Sequence, residues 1–583
     1  MDEIKLVFSH IKQYRVQAVL APAFKMAEAL LELFVPIVVA AMIDVGIAGG
    51  DAGYIRGCTA VLLLLAAGGV VLSVTAQYFS AVCASGFSAS LRSSLMGKIS
   101  RLSFSSLDKL GTSRLITGMT SDVNQVQSGV NLTLRLLLRS PFIILGSLVM
   151  SFFINIRLSA VMCVVIPCIA LVIFLIMRKN LKGYDNVQKN VDNLIMRTRQ
   201  NADGVRVVRA FGREDEFRRE FESCNAGLMK SQLGTGYISG LLGPVTLVII
   251  DLGICAVLMK GAGGVYSGTV SQGEVVALVN YMAAILVEMI KFADLIVNIT
   301  RALACAKRIG GVLEESDERA SGGEKPGIDK KMNIVAELDD VTFRYNKNAK
   351  PAVEHLNVRI GRGERFGVTG TTGSGKSTFA AMLGGFLVPD EGEIRVFGES
   401  VSKVDPGELR GRMAFCMQKP TLFSGTVAEN LKMANAAASD EDMADALRLS
   451  CAYDFVKEKG GADACVEQNG LNFSGGQRAR LAVARALLRK PDILILDDSY
   501  AAMDYSTQRR VTKNIGKLAD EIGMTVITIS QRVAPIMECD RIAVFENGRI
   551  IGCDTHEELL KNCGEYARIC ASQGICPDEG GER

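Results

Sequence analysis

Apolar residues are concentrated in the first half of this chain. Runs near 16–43, 55–82, 136–155, 158–177, 241–260 and 275–299 are each long enough to cross a bilayer, which takes about 20 apolar residues as a helix. Six crossings are therefore expected. The opening stretch, MDEIKLVFSHIKQYR, is charged and amphipathic. It lacks the short apolar centre and cleavage site of a signal peptide and reads as a helix lying at the membrane interface. The connections 83–135 and 178–240 are polar with recurring apolar positions, so the crossing helices are expected to continue beyond the bilayer as amphipathic extensions. Those near 45–54, 155–157 and 261–274 are short and almost free of Lys and Arg, whereas 178–240 holds about a dozen basic residues, including Arg206, Arg209, Arg213, Arg218 and Arg219. By the positive-inside rule the long connections, and with them both termini, belong in the cytoplasm.

The pattern changes after 313. Residues 314–332, EESDERASGGEKPGIDKKM, are charged and aperiodic, as a solvated linker is. From 333 to 583 the strand-like runs IVAELDDVTFRY, RFGVTG, RMAFCM, ILILD and TVITIS alternate with helical stretches. That alternation predicts a mainly parallel sheet covered by helices. The expected fold is thus a polytopic α-helical membrane domain over 1–313, a linker, and an α/β domain over 333–583.

Composition narrows the function classes. A charged fraction of 22% beside a positive mean hydropathy fits a chain that is part membrane and part soluble. A net charge of +3 over 583 residues lacks the footprint of a nucleic-acid binder. The 15 cysteines follow no framework spacing and suit reduced thiols. Cys553, His556, Cys563, Cys570 and Cys576 lack the paired close spacings of a zinc site.

The candidate chemistry starts at Gly370-Thr371-Thr372-Gly373-Ser374-Gly375-Lys376-Ser377-Thr378, which follows the strand RFGVTG and opens a helix. Glycines let backbone N–H groups curl around a phosphate, Lys376 reaches the β- and γ-phosphates, and Ser377 offers a hydroxyl to Mg²⁺. About 120 residues on, the apolar strand Ile493–Asp497 ends in a carboxylate suited to the same ion. Three more pieces accompany these: Gln418 in FCMQKPTLFSGT, Phe473-Ser474-Gly475-Gly476-Gln477 ahead of a basic helix, and Ala501-Ala502-Met503-Asp504.

In order and spacing these pieces resemble the nucleotide-binding domain of ATP-binding cassette transporters over about 335–570. The resemblance implies that Tyr345 stacks on adenine, and that Gln418, with Ser377 and Asp497, serves Mg²⁺ and the attacking water. It implies that Ser474, Gly475, Gly476 and Gln477 form the signature gripping the γ-phosphate of the partner domain's ATP, and that Asp504 crosses the dimer interface. The first half resembles the family's six-helix exporter fold, in which the loops near 103–123 and 202–221 carry coupling helices that touch the nucleotide-binding domains. Fusion of the two parts in this order argues against an importer, and the absence of a Cys/His peptidase ahead of the first crossing argues against a cargo-maturing peptide exporter.

Three departures from the family pattern stand out. Where the family usually has the glutamate that polarises the hydrolytic water, this chain has Asp498; where it usually has histidine against the γ-phosphate, this chain has Gln531. Ahead of the signature, where homologous domains often have a glutamate between Val and Gly that meets the coupling helices, this chain reads Val466-Glu467-Gln468-Asn469-Gly470. The first two imply a site that binds ATP and hydrolyses it poorly, in a chain whose signature completes a competent site on a non-identical half-transporter. Such a chain would export amphipathic compounds such as drugs, lipids or peptides across a cytoplasmic membrane, with a bacterial source expected. A homodimer, or an ATP-controlled gate without net transport, is the alternative. Ionisable residues inside the crossings are candidate substrate contacts: Lys25, Glu28 and Glu32 in the first, with Glu32 ahead of a turn at Pro36, Asp251 in the fifth, and Glu288, Lys291 and Asp294 in the sixth. Lys25 with Glu28, and Glu288 with Lys291, are equally spaced for structural ion pairs.

Overall fold

The computed structural model describes residues 3–318, 333–346 and 349–575. Cys576 and most of the expected linker, 319–332, lie outside them. The chain divides into two compact units, one formed by Met1–Ser100 with Gly111–Glu315 and the other by Arg101–Leu110 with Ser316–Arg583.

The first unit is helical. It holds six spans long and apolar enough to cross a membrane: Ser9–Ile47, Ala52–Ile99, Thr112–Ile154, Ile156–Ala210, Glu214–Tyr266 and Gln272–Glu314. Several far exceed a bilayer. The unbroken helix Ala52–Ile99 has 48 residues, about 72 Å at 1.5 Å per residue against about 30 Å of hydrocarbon. The polar connections are therefore helix, as their periodicity predicts. Pro36 is a correction, because it makes no turn: the helix Arg15–Ala41 runs through it. A proline there withdraws one N–H and pushes on the carbonyls of the preceding turn. Tyr281, 1% exposed, donates its hydroxyl to the Leu33 carbonyl at 2.5 Å, giving that disturbed turn a partner from the sixth span.

The second unit contains two main sheets. Six strands lie in the order Arg549–Asp554, Arg541–Glu546, Arg365–Gly370, Thr525–Ile529, Ile493–Asp497 and Met413–Cys416. All neighbours are parallel except the first pair. The run Ile334–Phe343, which reads as part of that parallel sheet, instead pairs antiparallel with Val353–Gly361 and Glu391–Val396 in a separate four-stranded sheet. Its burial is not alternating: Asp339 and Asp340 are exposed where the pairing register shifts, and Val341, Thr342 and Phe343 are all buried. In the six-stranded sheet Ile529 is level with Val368 on one side and Asp497 on the other. This register brings the ends of three strands to one edge, where ligands bind in open parallel sheets.

The helix Phe104–Leu110 belongs to this second unit. The Phe104 ring lies 4.8 Å from that of Phe386, and the Arg410 guanidinium covers Phe386 at 4.9 Å. Arg410 also holds Glu318 at 2.9 Å, and Glu318 donates its N–H to the Arg101 carbonyl at 2.6 Å.

Candidate functional site

Strand Arg365–Gly370 ends in a loop whose path depends on glycine. Gly370, Gly373 and Gly375 have φ of 143°, 80° and 101°, a region that side chains disfavour. A Cβ on Gly375 would also come within 2.6 Å of both the Ala352 carbonyl and Val353. The helix Lys376–Leu383 follows directly, so its free N–H groups face the loop. Lys376 is 7% exposed, and its ammonium donates to the carbonyls of Gly370 at 2.9 Å and Thr371 at 2.6 Å. The lysine thus braces the ring of backbone that a phosphate would enter. Tyr345 is exposed at 60%, its hydroxyl 3.1 Å from that of Thr378. Its ring is free to receive a flat partner.

Two carboxylates face this loop from the end of strand Ile493–Asp497. Asp497 accepts the Ser377 hydroxyl at 3.2 Å. Asp498 turns the chain sharply, with φ of 47°, and donates its N–H to the Ile529 carbonyl at 2.8 Å. The backbone N–H of Gln531 and the Gln418 side chain act to lower the pKa of the Asp498 carboxyl. Burial raises the pKa of both carboxyls above the ordinary range and lowers that of the Lys376 ammonium, although attraction between the lysine and the two acids opposes those shifts. Desolvation outweighs pairing here. A small cavity of about 50 Å³ adjoins Gln418 and Asp498, closed behind by Ala479, Ala482 and Ala501.

Tyr345, 370–378, Gln418, Asp497, Asp498 and Gln531 therefore converge. The signature lies apart from them. Ser474 caps the helix Gly475–Leu488 in a reciprocal box, its Oγ accepting from the Gln477 N–H at 3.3 Å and its N–H donating to Gln477 Oε1 at 3.0 Å. Among the described residues neither bonds to the loop 370–378. A Cβ on Gly476 would lie 2.8 Å from the Ala502 carbonyl, so glycine is required for the segment before Asp504 to pack here. Asp504 caps the helix Tyr505–Ile522, accepting from the Thr507 N–H at 2.9 Å and the Ser506 hydroxyl at 2.6 Å, which hold its carboxyl well below the usual range. His556 makes a hydrogen bond of 2.7 Å with the Tyr566 hydroxyl, and Cys563 and Cys570 are buried in apolar packing.

In the first unit both expected ion pairs form: Lys25 Nζ is 2.5 Å from Glu28, and Lys291 Nζ is 2.9 Å from Glu288. Sequence reasoning missed Arg139, which binds Glu288 at 2.6 Å and both oxygens of Glu32 at 2.7 and 2.9 Å. A lone arginine opening the third apolar run was the available signal. Asp251 and Asp294 are exposed on the surface of the unit. In the second unit the missed residue is Gln573, whose amide bonds the backbone of Gln531 and Val533.

Comparison with known proteins agrees with this geometry. Residues 19–289 match the family model for the ABC transporter transmembrane region, and 353–501 match that for the ABC transporter. The ABC transporter ATP-binding protein YfiB of Bacillus subtilis (strain 168) is 32% identical over 97% of this chain and 98% of its own length. Rv1273c of Mycobacterium tuberculosis (strain ATCC 25618 / H37Rv), also described as an ABC transporter ATP-binding protein, is 30% identical over 99% of both chains. A solved bacterial Atm1-family ABC exporter with ATP bound shares the fold, with a TM-score of 0.81 at 21% identity, over 98% of this chain and 99% of that one. The chain belongs to the ABC transporter family, with the transmembrane region and the ATP-binding cassette on one polypeptide.

Proposed function

We propose that this chain is the hydrolysis-impaired half of a heterodimeric exporter of amphipathic compounds. The observation that carries this reading is the pair Asp498 and Gln531 beside an otherwise complete phosphate loop and signature. The aspartate carboxylate is one methylene short of the usual glutamate. Gln531 can donate a hydrogen bond but cannot carry charge or relay a proton as imidazole does.

Each residue then has a role in nucleotide handling. Tyr345 stacks on adenine; the N–H groups of 370–378 and Lys376 hold the phosphates. Ser377 and Asp497, already 3.2 Å apart, join Gln418 as oxygen donors, a set that fits a hard divalent cation. Mg²⁺ bound there would neutralise phosphate charge. Ser474, Gly475, Gly476 and Gln477 complete the partner's site across a head-to-tail pair, with Asp504 at the interface. Closure of that pair pulls on the loops 103–123 and 202–221 and switches the membrane helices from inward-facing to outward-facing. Phe211, 76% exposed at the break between Met162–Ala210 and Glu214–Gly240, is suited to such a docking role. The termini lie in the cytoplasm, on the side of the basic loops.

The test is composition. Native mass spectrometry of the transporter purified from its own membrane through a tag on this chain is expected to give one copy of this chain and one of a different half-transporter. Two identical copies would overturn the heterodimer. A second expectation concerns adenine: Tyr345→Ala should weaken ATP binding about tenfold, since stacking on a base contributes about 1–3 kcal/mol, with Tyr345→Phe near wild type in equilibrium titration.

A further inference from the structure

The loop after strand Thr525–Ile529 carries Gln531 and is held by the last described helix. Gln573 stands at the C-cap of Gly564–Ser572 and uses both ends of its amide: Nε2 donates to the Gln531 carbonyl at 2.8 Å, and Oε1 accepts from the Val533 N–H at 2.8 Å. A donor and an acceptor two residues apart fix the orientation of the amide, which no flipped amide could satisfy. The helix that presents it is anchored. Tyr566 and Cys570, 0% and 1% exposed, pack against Val533 and Ile536 in one apolar cluster with Leu559 and Ile542.

The other face of the loop meets the candidate site. The Asp498 N–H donates to the Ile529 carbonyl at 2.8 Å, two residues before Gln531, and the Ser530 N–H donates to the Val368 carbonyl at 2.9 Å. Arg532 donates its N–H to the Ser530 hydroxyl at 3.0 Å and its guanidinium to the Ala501 carbonyl at 3.4 Å. Gln531 therefore lies between the amide of Gln573, which binds its carbonyl, and the backbone bond that ties Ile529 to Asp498. A shift of this loop moves Gln531 relative to Asp498.

We propose that Gln573 is a positioning residue for ATP hydrolysis, fixing the loop 530–533 and with it the place of Gln531 beside Asp498. It touches no reacting atom. The inference rests on reading 370–378 as the phosphate site and adds to it a role for the C-terminal helix.

The test uses the full chain in the assembled transporter in lipid nanodiscs. Radiolabelled azido-ATP crosslinked to this chain reports single-turnover conversion of ATP to ADP at its own site. Gln573→Met keeps the bulk of the side chain and removes both hydrogen bonds; Gln573→Ala removes the side chain. Ser572→Ala, whose hydroxyl bonds to Ile569 within its own helix, is the control. Both Gln573 variants are expected to slow conversion about tenfold, because small misplacements of a catalytic group are costly. Apparent ATP affinity should stay within about twofold of wild type and the unfolding temperature should not move. Conversion at the wild-type rate in Gln573→Met would overturn the proposal, as would a matching loss of affinity and thermal stability. Lys376→Ala separates the two readings. Crosslinking that survives Lys376→Ala contradicts the phosphate-site reading itself, whereas loss of crosslinking there with normal conversion in Gln573→Met contradicts only the clamp.

Discussion

Replacing Asp498 by glutamate together with Gln531 by histidine is expected to raise hydrolysis at this chain's site by about 100-fold. The longer side chain moves the carboxylate outward by about one C–C bond, and a misplacement of about 1 Å near the reacting atoms is worth on the order of 100-fold. That factor corresponds to about 2.7 kcal/mol in the barrier. The phosphate loop, Tyr345 and Asp497 are untouched, so KM should stay close to wild type and the gain should fall in kcat. Each single substitution should recover only part, because the carboxylate and the imidazole act on one water and one phosphate. Phosphate release measured for the single and double variants decides this. An unchanged rate in the double variant would mean that neither residue limits the chemistry.

The second large effect concerns stability. Arg139→Ala is expected to destabilise the first unit by about 3–5 kcal/mol, because it leaves Glu288 charged, buried and without its closest partner, at 2.6 Å. The geometry says which of the arginine's pairs matters. The Glu288 side chain is 4% exposed and that of Glu32 is 49% exposed, although both bonds are short. An exposed pair contributes about 0–1 kcal/mol, so Glu32→Ala should cost little. Ser140 and Lys291 also bond to Glu288, at 2.8 and 2.9 Å, but the Lys291 side chain is 44% exposed and offsets only part of the loss. Arg139→Met with Glu288→Leu, which removes the charge as well as its partner, should recover most of the unfolding temperature in detergent. If that double variant is as unstable as Arg139→Ala, the cost lies in packing and not in the stranded carboxylate.

The parts of this protein that sequence makes legible are those where a local pattern has one physical meaning. A long apolar run forms a helix long enough to cross a bilayer, and a strand followed by G-T-T-G-S-G-K-S-T forms a glycine loop that opens a helix. The Lys25–Glu28 and Glu288–Lys291 pairs were legible for the same reason, since a separation of three residues on a helix places side chains together. What was hidden depends on contacts between distant segments. Arg139 meets Glu32 and Glu288 across 107 and 149 residues, and Gln573 reaches Gln531 across 42. Neither has a local signature. The run Ile334–Phe343 was assigned to the wrong sheet because a strand-like run does not say which strand lies alongside. Pro36 misled in the opposite direction, since a neighbouring helix can supply the Tyr281 hydroxyl that lets a membrane helix pass through proline.

The central claim is that this chain's site retains ATP while its partner's site turns over. It is tested most directly by trapping nucleotide on each chain of the purified heterodimer during steady transport, and identifying it after separation of the two chains. Intact ATP is expected on this chain and mainly ADP on the partner. Rapid and equal conversion to ADP on both chains would contradict it.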